Sequence, residues 1–266
     1  MKIAVIGVAG RMGQALVRRL LSHPELSLCA AVARPGSDVL GADAGMLAGA
    51  EGCGVAVTDD LYAAVQAAEL IVDFSTPFAS LRAVAACVAA SRPMVIGTTG
   101  YSAEELDQIH QAAGQIAIVF APNMSIGVNV SFKLAQMAAA ALGDEVDVEV
   151  IEAHHRDKVD APSGTAVRLG EVLAETLGRD LSKDAIYGRQ GQVGARDRQT
   201  IGFSTIRGGD IVGEHTVLFA GTGERLEITH RASSRDNFAS GALRAAQFLA
   251  DRPKGLFDMQ DVLGLS

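Results

Sequence analysis

The sequence predicts an α/β protein: a doubly wound parallel sheet into which a second, α+β mixed-sheet domain is inserted. Three observations carry that expectation. Over residues 2–120 short apolar runs alternate with helix-patterned segments, the pattern of parallel strands joined by helices. A glycine-rich turn stands directly between the first apolar run and the first helix. Over residues 200–232 the pattern changes to three strand-like runs parted by glycine turns, which reads as antiparallel sheet.

In chain order, Lys2-Ile3-Ala4-Val5-Ile6 is fit for a central parallel strand. Gly7-Val8-Ala9-Gly10-Arg11-Met12-Gly13 follows, then an amphipathic helix through Leu21 that must end before Pro24. Glycines placed there allow a tight turn and let a pyrophosphate approach the helix amides, a Rossmann-type arrangement. Ala9 takes the place of the usual middle glycine. A second strand over residues 26–33 ends at Arg34, where such a fold reads the adenosine ribose. Residues 36–54 read as loop. Further strands are expected at 55–57, 70–74, 94–96 and 116–120, separated by helices at 61–67, 77–90 and 103–113. Ser102 and Glu105 have capping-box spacing. Gly97-Thr98-Thr99-Gly100 and Ala121-Pro122-Asn123-Met124-Ser125 each follow a strand, on the edge where ligands of such sheets lie.

A helix over 128–142 leads into different architecture. An apolar run at 146–151 reads as a strand, and 166–177 as a helix. Between them lies Glu152-Ala153-His154-His155-Arg156-Asp157-Lys158-Val159-Asp160-Ala161-Pro162-Ser163-Gly164-Thr165. Pro162 and Gly164 shape a turn, and Ser163 or Thr165 can cap the following helix. The first-turn amides then make a seat for an anion. An imidazole titrating near pH 6.5 and the Lys158 ammonium supply acid–base groups beside it. The bland alternative is a solvated loop with capping residues. Residues 179–199 are polar, and strands follow at 200–206, 211–219 and 225–232. His215 and His230 fall within strands and read as imidazoles packed on a sheet face. An alanine-rich helix to Leu249 returns to the first sheet. The domains are therefore expected at 1–125, completed by 235–266, and at 126–234.

Composition bounds the function. The 266-residue chain is 48% hydrophobic and 20% charged, with a formal charge of −8. An acidic chain of pI near 5.2 disfavours nucleic acid or an acidic membrane surface as partner. No apolar run is read as reaching the roughly 18 residues of a membrane span. Strand sequence begins at once, without signal-peptide regions, so a cytoplasmic location is expected. Cys29, Cys53 and Cys87 are odd in number and lack CxxC spacing, which reads as thiols in a reducing compartment. Cys53, in a glycine-rich stretch, is the one to watch.

These motifs together resemble one family, the 4-hydroxy-tetrahydrodipicolinate reductases (dihydrodipicolinate reductases) of bacterial lysine and diaminopimelate synthesis. The resemblance runs end to end. It rests on the GRMG turn at Gly10–Gly13, GTTG at Gly97–Gly100, APNMSIGVN at Ala121–Asn129 and, most specifically, EAHHRDKVDAPSGTA at Glu152–Ala166. It implies that His154 is the proton donor or acceptor and Lys158 a proton donor. It places His155, Gly164 and Thr165, with neighbouring Ser163, around a cyclic dicarboxylate substrate. It places Gly7, Val8, Ala9, Gly10, Arg11, Met12, Arg34, Gly97, Thr98, Thr99, Ala121, Pro122, Asn123 and Met124 around NADPH or NADH. It also implies a homotetramer assembled through the inserted sheets, with no metal.

One departure from the family pattern bears on the cofactor. Many relatives have an acidic residue before the arginine that ends the second strand, whereas this chain has Ala33 before Arg34. Loss of that carboxylate forfeits hydrogen bonds to the ribose hydroxyls of NADH and removes repulsion of a 2′-phosphate, so NADPH is expected to be preferred. Thr76 stands where some relatives carry a basic residue. Two other function classes are weighed. A non-catalytic dinucleotide-sensing protein predicts a degraded loop, against the intact His154, Lys158, Gly164 and Thr165. A metal-dependent hydrolase using His154, His155 and Asp157 lacks a third ligand at recognisable spacing.

Overall fold

The computed structural model describes residues 1–265. The chain divides into two compact units: Met1–Ile126 with the residues from Arg235 onward, and Gly127–Ser234.

The first unit alternates β1 (Lys2–Ile6), α1 (Arg11–Leu21), β2 (Ser27–Val32), α2 (Ala44–Leu47), β3 (Val57–Thr58) and α3 (Leu61–Ala67). It continues with β4 (Leu70–Asp73), α4 (Pro77–Ala90), β5 (Met94–Ile96), α5 (Ala103–Ala113) and β6 (Ala117–Phe120). In the second unit, α6 (Ile126–Leu142), β7 (Asp147–His154), α7 (Gly164–Leu177), α8 (Leu181–Asp184) and β8 (Ala185–Ile186) precede β9 (Ile201–Arg207), β10 (Gly213–Ala220) and β11 (Arg225–Ala232). The chain then completes the first unit with α9 (Asp236–Leu249), β12 (Gly255–Phe257) and α10 (Met259–Leu263).

The first unit's seven-stranded sheet has the order β12-β6-β5-β4-β1-β2-β3, and every pairing in it is parallel. Side chains alternate across it, as strand geometry requires. Ile3 and Val5 join a core with α1 and α9 residues such as Leu16, Ala242 and Leu243. Ala4 and Ile6 face a second core with Leu61, Ala83 and Ile109 from α3, α4 and α5. Helices therefore cover both faces, and strand order reverses between β1 and β4, the place where ligands of such sheets bind. The α9 helix packs on this sheet, as the alanine pattern implied. Three short elements of this unit, α2, β12 and α10, escaped the sequence reading. The four-residue α2 lies in the loop over 36–54, organised by Asp43, whose carboxylate accepts from the amides of Gly45, Met46, Cys53 and Gly54. These backbone hydrogen bonds, those of Cys53 and Met46 foremost, hold its pKa down at about 2. The three-residue β12 extends the sheet beside β6.

The second unit's sheet has the order β11-β10-β7-β9-β8. Here the structure corrects the expectation of one antiparallel sheet over 200–232. The β7 strand lies between β10 and β9, antiparallel to the first and parallel to the second. Val148 and Val150 of β7 face a core with Val217 and Phe219 of β10, Phe203 of β9 and Leu169 and Leu173 of α7. Burying the large apolar side chains of this core contributes about 1.5–3 kcal/mol each. Such a strand is stabilised more by a central place than at an edge. The opposite face of the sheet carries exposed Ile206, whereas Leu226, paired with Phe219, is exposed at the β11 edge of the core face.

Helix α6 carries a long, largely apolar stretch. With the 3₁₀ turn that follows it, Ile126–Glu145 is long and apolar enough, by length and composition, to cross a membrane. Asn129, Lys133 and Gln136 break its apolar run in the sequence, which is why the run does not stand out. Its Ala135 and Ala139 pack into the core of the second unit.

Candidate active site

The motif that closes β7 is strand rather than loop as far as His154. Its register pairs Glu152 with Thr205 on one side and His215 on the other, and His154 with Arg207. Residues two apart on a strand share a face, so Glu152 and His154 point the same way.

Glu152 is 1% exposed and takes four hydrogen bonds. Arg207 donates from Nη1 and Nη2 to its two oxygens, both at 2.8 Å. The Ser163 amide donates at 3.1 Å. His154 Nδ1 lies 2.6 Å from Oε2. Burial pulls the Glu152 pKa upward, but the hydrogen bonds from Arg207, His154 and Ser163 outweigh it and hold the carboxyl below its ordinary value. His154 is also lowered. Burial is the main cause, and the Glu152 carboxylate offsets it only in part, because Lys158 and Arg207 oppose a further positive charge.

Two further groups complete the cluster. His215 packs edge-on against His154 with ring centroids 5.1 Å apart, and its Nε2 is hydrogen-bonded to Ser163 Oγ at 2.9 Å. Burial pushes the His215 pKa down to about 3. Lys158 lies on the loop after β7 and donates to both carboxylate oxygens of Asp160, at 2.7 and 2.9 Å. The backbone carbonyl of Asp160 in turn accepts from Arg207 at 2.6 Å.

Ser163, rather than Thr165, caps α7, with Oγ accepting from the Ala166 amide. Its buried hydroxyl is engaged by the Ala166 amide and by His215. Gly164 is exposed with open space where a Cβ would stand, and Thr165 is half-buried beside it. His155 is half-buried, while Arg156 and Asp157 are exposed. The structure thus gathers His154, Lys158 and the Gly164–Thr165 helix start around Glu152 and Arg207. Arg207 and His215 escaped the sequence reading as site members, because each comes from a distant strand. The Glu152–His154 spacing was the available signal, once the strand was known to run through both.

In the first unit, the residues expected at a dinucleotide lie at the carboxyl ends of β1, β2, β5 and β6. Gly7 has φ of +81°, and a Cβ at Gly13 would collide with the Gly7 carbonyl and Val8 Cα, so the turn and α1 meet without side chains between them. No side chain caps α1 at Gly10, which leaves its first-turn amides for an anion. Ala9, Gly10 and Arg11 are exposed and Met12 is half-buried, whereas Val8 is buried and contributes through backbone. Arg34 is exposed just beyond β2. Gly97 leaves no room for a side chain against the Phe74 ring. Thr98 is buried, its hydroxyl donating to Asp73 and accepting from the Ser75 amide, each at 2.8 Å. Thr99 is exposed beside it. Asp73 is fully buried, and burial raises its pKa despite hydrogen bonds from Ser75 and Thr98. Asn123 accepts from the Ser125 amide at 2.9 Å. Pro122 is exposed, and Ala121 and Met124 pack into the core. The cradle fits a dinucleotide pyrophosphate.

Family models for dihydrodipicolinate reductase match almost the whole chain, the N-terminal model over residues 1–124 and the C-terminal model over 127–263. The chain belongs to the dihydrodipicolinate reductase family. Among its relatives, the 4-hydroxy-tetrahydrodipicolinate reductase of Alkalilimnicola ehrlichii is 60% identical over 264 residues, covering 99% of each chain. That of Pseudomonas fluorescens is 57% identical over 265 residues, again covering 99% of each. A dipicolinate-bound dihydrodipicolinate reductase from Paenisporosarcina sp. TG-14 superposes with a TM-score of 0.75 at 25% identity, covering 98% of both chains. Like those relatives, this reductase is an oxidoreductase, and its Rossmann-type sheet and inserted mixed sheet are those of the family.

Proposed function

We propose that this reductase converts 4-hydroxy-tetrahydrodipicolinate, by way of dihydrodipicolinate, to tetrahydrodipicolinate in the diaminopimelate pathway to L-lysine. The observation that carries the reading is the imidazole of His154, anchored by a buried carboxylate next to Lys158 and the Gly164–Thr165 helix start. Its relatives bear the reductase name, and one of them binds dipicolinate, a cyclic dicarboxylate.

Each part of the site has a chemical task in this scheme. The amides at Gly164 and Thr165, with the Thr165 hydroxyl, bind a substrate carboxylate, and His155 and Lys158 add donors for the same anion. A reduced nicotinamide dinucleotide, NADPH in preference to NADH, supplies the hydride when bound at the Gly7–Met12 turn, Arg34, Gly97–Thr99 and Ala121–Met124. Negative charge grows on the ring as it is reduced, and a nearby acid must deliver a proton. His154 and Lys158 are the groups proposed to do so. No step needs a metal.

The reading is of a cytoplasmic small-molecule enzyme without a nucleic-acid or membrane partner, and the acidic chain, of pI near 5.2, supports it. The face of the mixed sheet that exposes Ile206, with half-buried Ile151 and Leu218 on the same side, supports assembly as a homotetramer through that sheet. Light scattering showing a stable monomer at micromolar concentration would rule the assembly out.

The test of function is a coupled assay with freshly generated substrate, following oxidation of NADPH and NADH separately. His154→Gln and Lys158→Ala should each lower turnover by roughly a hundredfold or more, with cofactor affinity hardly changed. Near-normal turnover in either variant would remove that residue from its role.

A further inference from the structure

We infer that Glu152 is the positioning residue of the site: held by Arg207 and the Ser163 amide, its carboxylate fixes the Nδ1–H of His154 and so commits Nε2 to the substrate's proton. The inference deepens the proposed role of His154 and rests on it.

A carboxylate only accepts hydrogen bonds, so the 2.6 Å contact requires the proton to sit on Nδ1. A neutral imidazole carries one ring N–H, and the other nitrogen then presents a lone pair. The contact therefore selects one tautomer and leaves Nε2 as the nitrogen that takes up and passes on a proton. Glu152 itself has little freedom. Two hydrogen bonds from Arg207, one from Ser163 and one from His154 fill its acceptor positions, and the carboxylate is 1% exposed. The Nε2 side is cleared by Gly213 at the start of β10, where an added Cβ would lie 3.0 Å from Nε2.

The charged and titratable groups facing His154 come from every neighbouring element. Glu152 comes from its own strand, Arg207 from β9, His215 from β10 and Lys158 from the following loop. Glu152 favours the imidazolium, whereas Lys158 and Arg207 disfavour it. Glu152 and Arg207 therefore bias the same imidazole in opposite directions, and each can be removed separately.

The test compares the pH dependence of kcat in wild type, Glu152→Gln and Arg207→Gln, together with the His154 tautomer read from imidazole nitrogen NMR. A proton-donating His154 must be protonated, so kcat declines above its pKa in the substrate complex. Glu152→Gln should lower kcat at least tenfold, move this declining limb to lower pH and alter the tautomer. Glu152→Asp, which keeps the charge, should restore part of both. Arg207→Gln should move the limb to higher pH. A residue that served only the fold would not give limb shifts of opposite sign. If Glu152→Gln leaves limb and tautomer unmoved while His154→Gln is inactive, the positioning inference is overturned and the role of His154 stands. If His154→Gln retains near-normal turnover, the underlying reading fails instead. Should Glu152→Gln not fold, a limb that fails to rise in Arg207→Gln overturns the inference by itself.

Discussion

The Lys158 ammonium lies 2.7 and 2.9 Å from the two carboxylate oxygens of Asp160. The loop thus supplies its own anion to the cation proposed to meet the substrate. Hydrogen bonding to Lys158 is the main reason the Asp160 carboxyl sits below its ordinary pKa. A substrate carboxylate has to displace this partner. The Asp160 side chain is 54% exposed, and such pairs contribute about 0–1 kcal/mol. Asp160→Asn should therefore lower the KM for the dicarboxylate by about two- to fivefold, with a much smaller effect on kcat. Steady-state kinetics with the dicarboxylate varied would show this, and an unchanged KM would mean that Lys158 is not drawn away from Asp160.

Ser163 and Thr165 are two residues apart, yet their replacement should have different consequences. Ser163→Ala removes the α7 cap and the hydrogen bond to buried His215. The expected cost is about 1–3 kcal/mol of stability, read as a lower urea midpoint at unchanged slope. Thr165→Val should raise the dicarboxylate KM by roughly tenfold, the scale of one hydrogen bond to a charged group, and lower the midpoint less than Ser163→Ala does. A urea midpoint that falls as far in Thr165→Val as in Ser163→Ala would assign both residues to the fold.

Most of the first unit was legible because the signals were local. The residue pattern alone placed α3, α4, β5 and α5 at their observed bounds. What the sequence hid was non-local. Nothing in the run at 146–151 indicates that β7 lies between β9 and β10, since its alternating valines suit several sheet positions. The same gap concealed Arg207 and His215, which reach Glu152 and His154 only because of that order. Reading the motif as a loop from Glu152 onward hid the shared face of Glu152 and His154. Elements as short as α2, β8 and β12 carry too few residues for a period to show.

Acid should destabilise the protein well before its carboxylates are protonated. His215 is 7% exposed and its pKa falls from 6.5 to about 3 on burial. The unfolded chain takes up this proton near pH 6.5 and the folded chain does not, so stability falls as pH is lowered through that window. Burial lowers His154 and His230 too, with the same sign. Glu152, whose pKa is also lowered, loses its contribution only below its unfolded value of 4.5. Between pH 6.5 and 4.5 His215 alone should cost on the order of 2–3 kcal/mol. His215→Gln should flatten the dependence by about one proton over this range. Parallel urea midpoints against pH for wild type and variant would contradict this account.

The NADPH preference can be tested at the end of β2, where Ala33 is 5% exposed and packs with Val8, Val17, Ala44 and Val57. The Ala33 amide donates to the Thr58 carbonyl at 2.9 Å, so the backbone of this corner is fixed while Arg34 projects at the surface. Thr76 serves as the cap of α4 and is not expected to choose between cofactors. No carboxylate is present at position 33 to accept from the ribose hydroxyls of NADH or to repel a 2′-phosphate. Hydrogen bonds to a charged group contribute on the order of 1.5–3 kcal/mol, or roughly ten- to a hundredfold in affinity. NADPH should therefore be preferred mainly through its KM. Ala33→Glu should recover NADH use and weaken NADPH. Because its first methylene starts from a buried position, a modest loss of stability, on the order of 1 kcal/mol, should accompany the change. Arg34→Ala should raise the KM for NADPH at least tenfold and affect NADH far less, since only NADPH offers a phosphate for the guanidinium to bind. Equal kcat/KM for both cofactors in the wild-type protein would show that the Ala33–Arg34 corner does not set the preference.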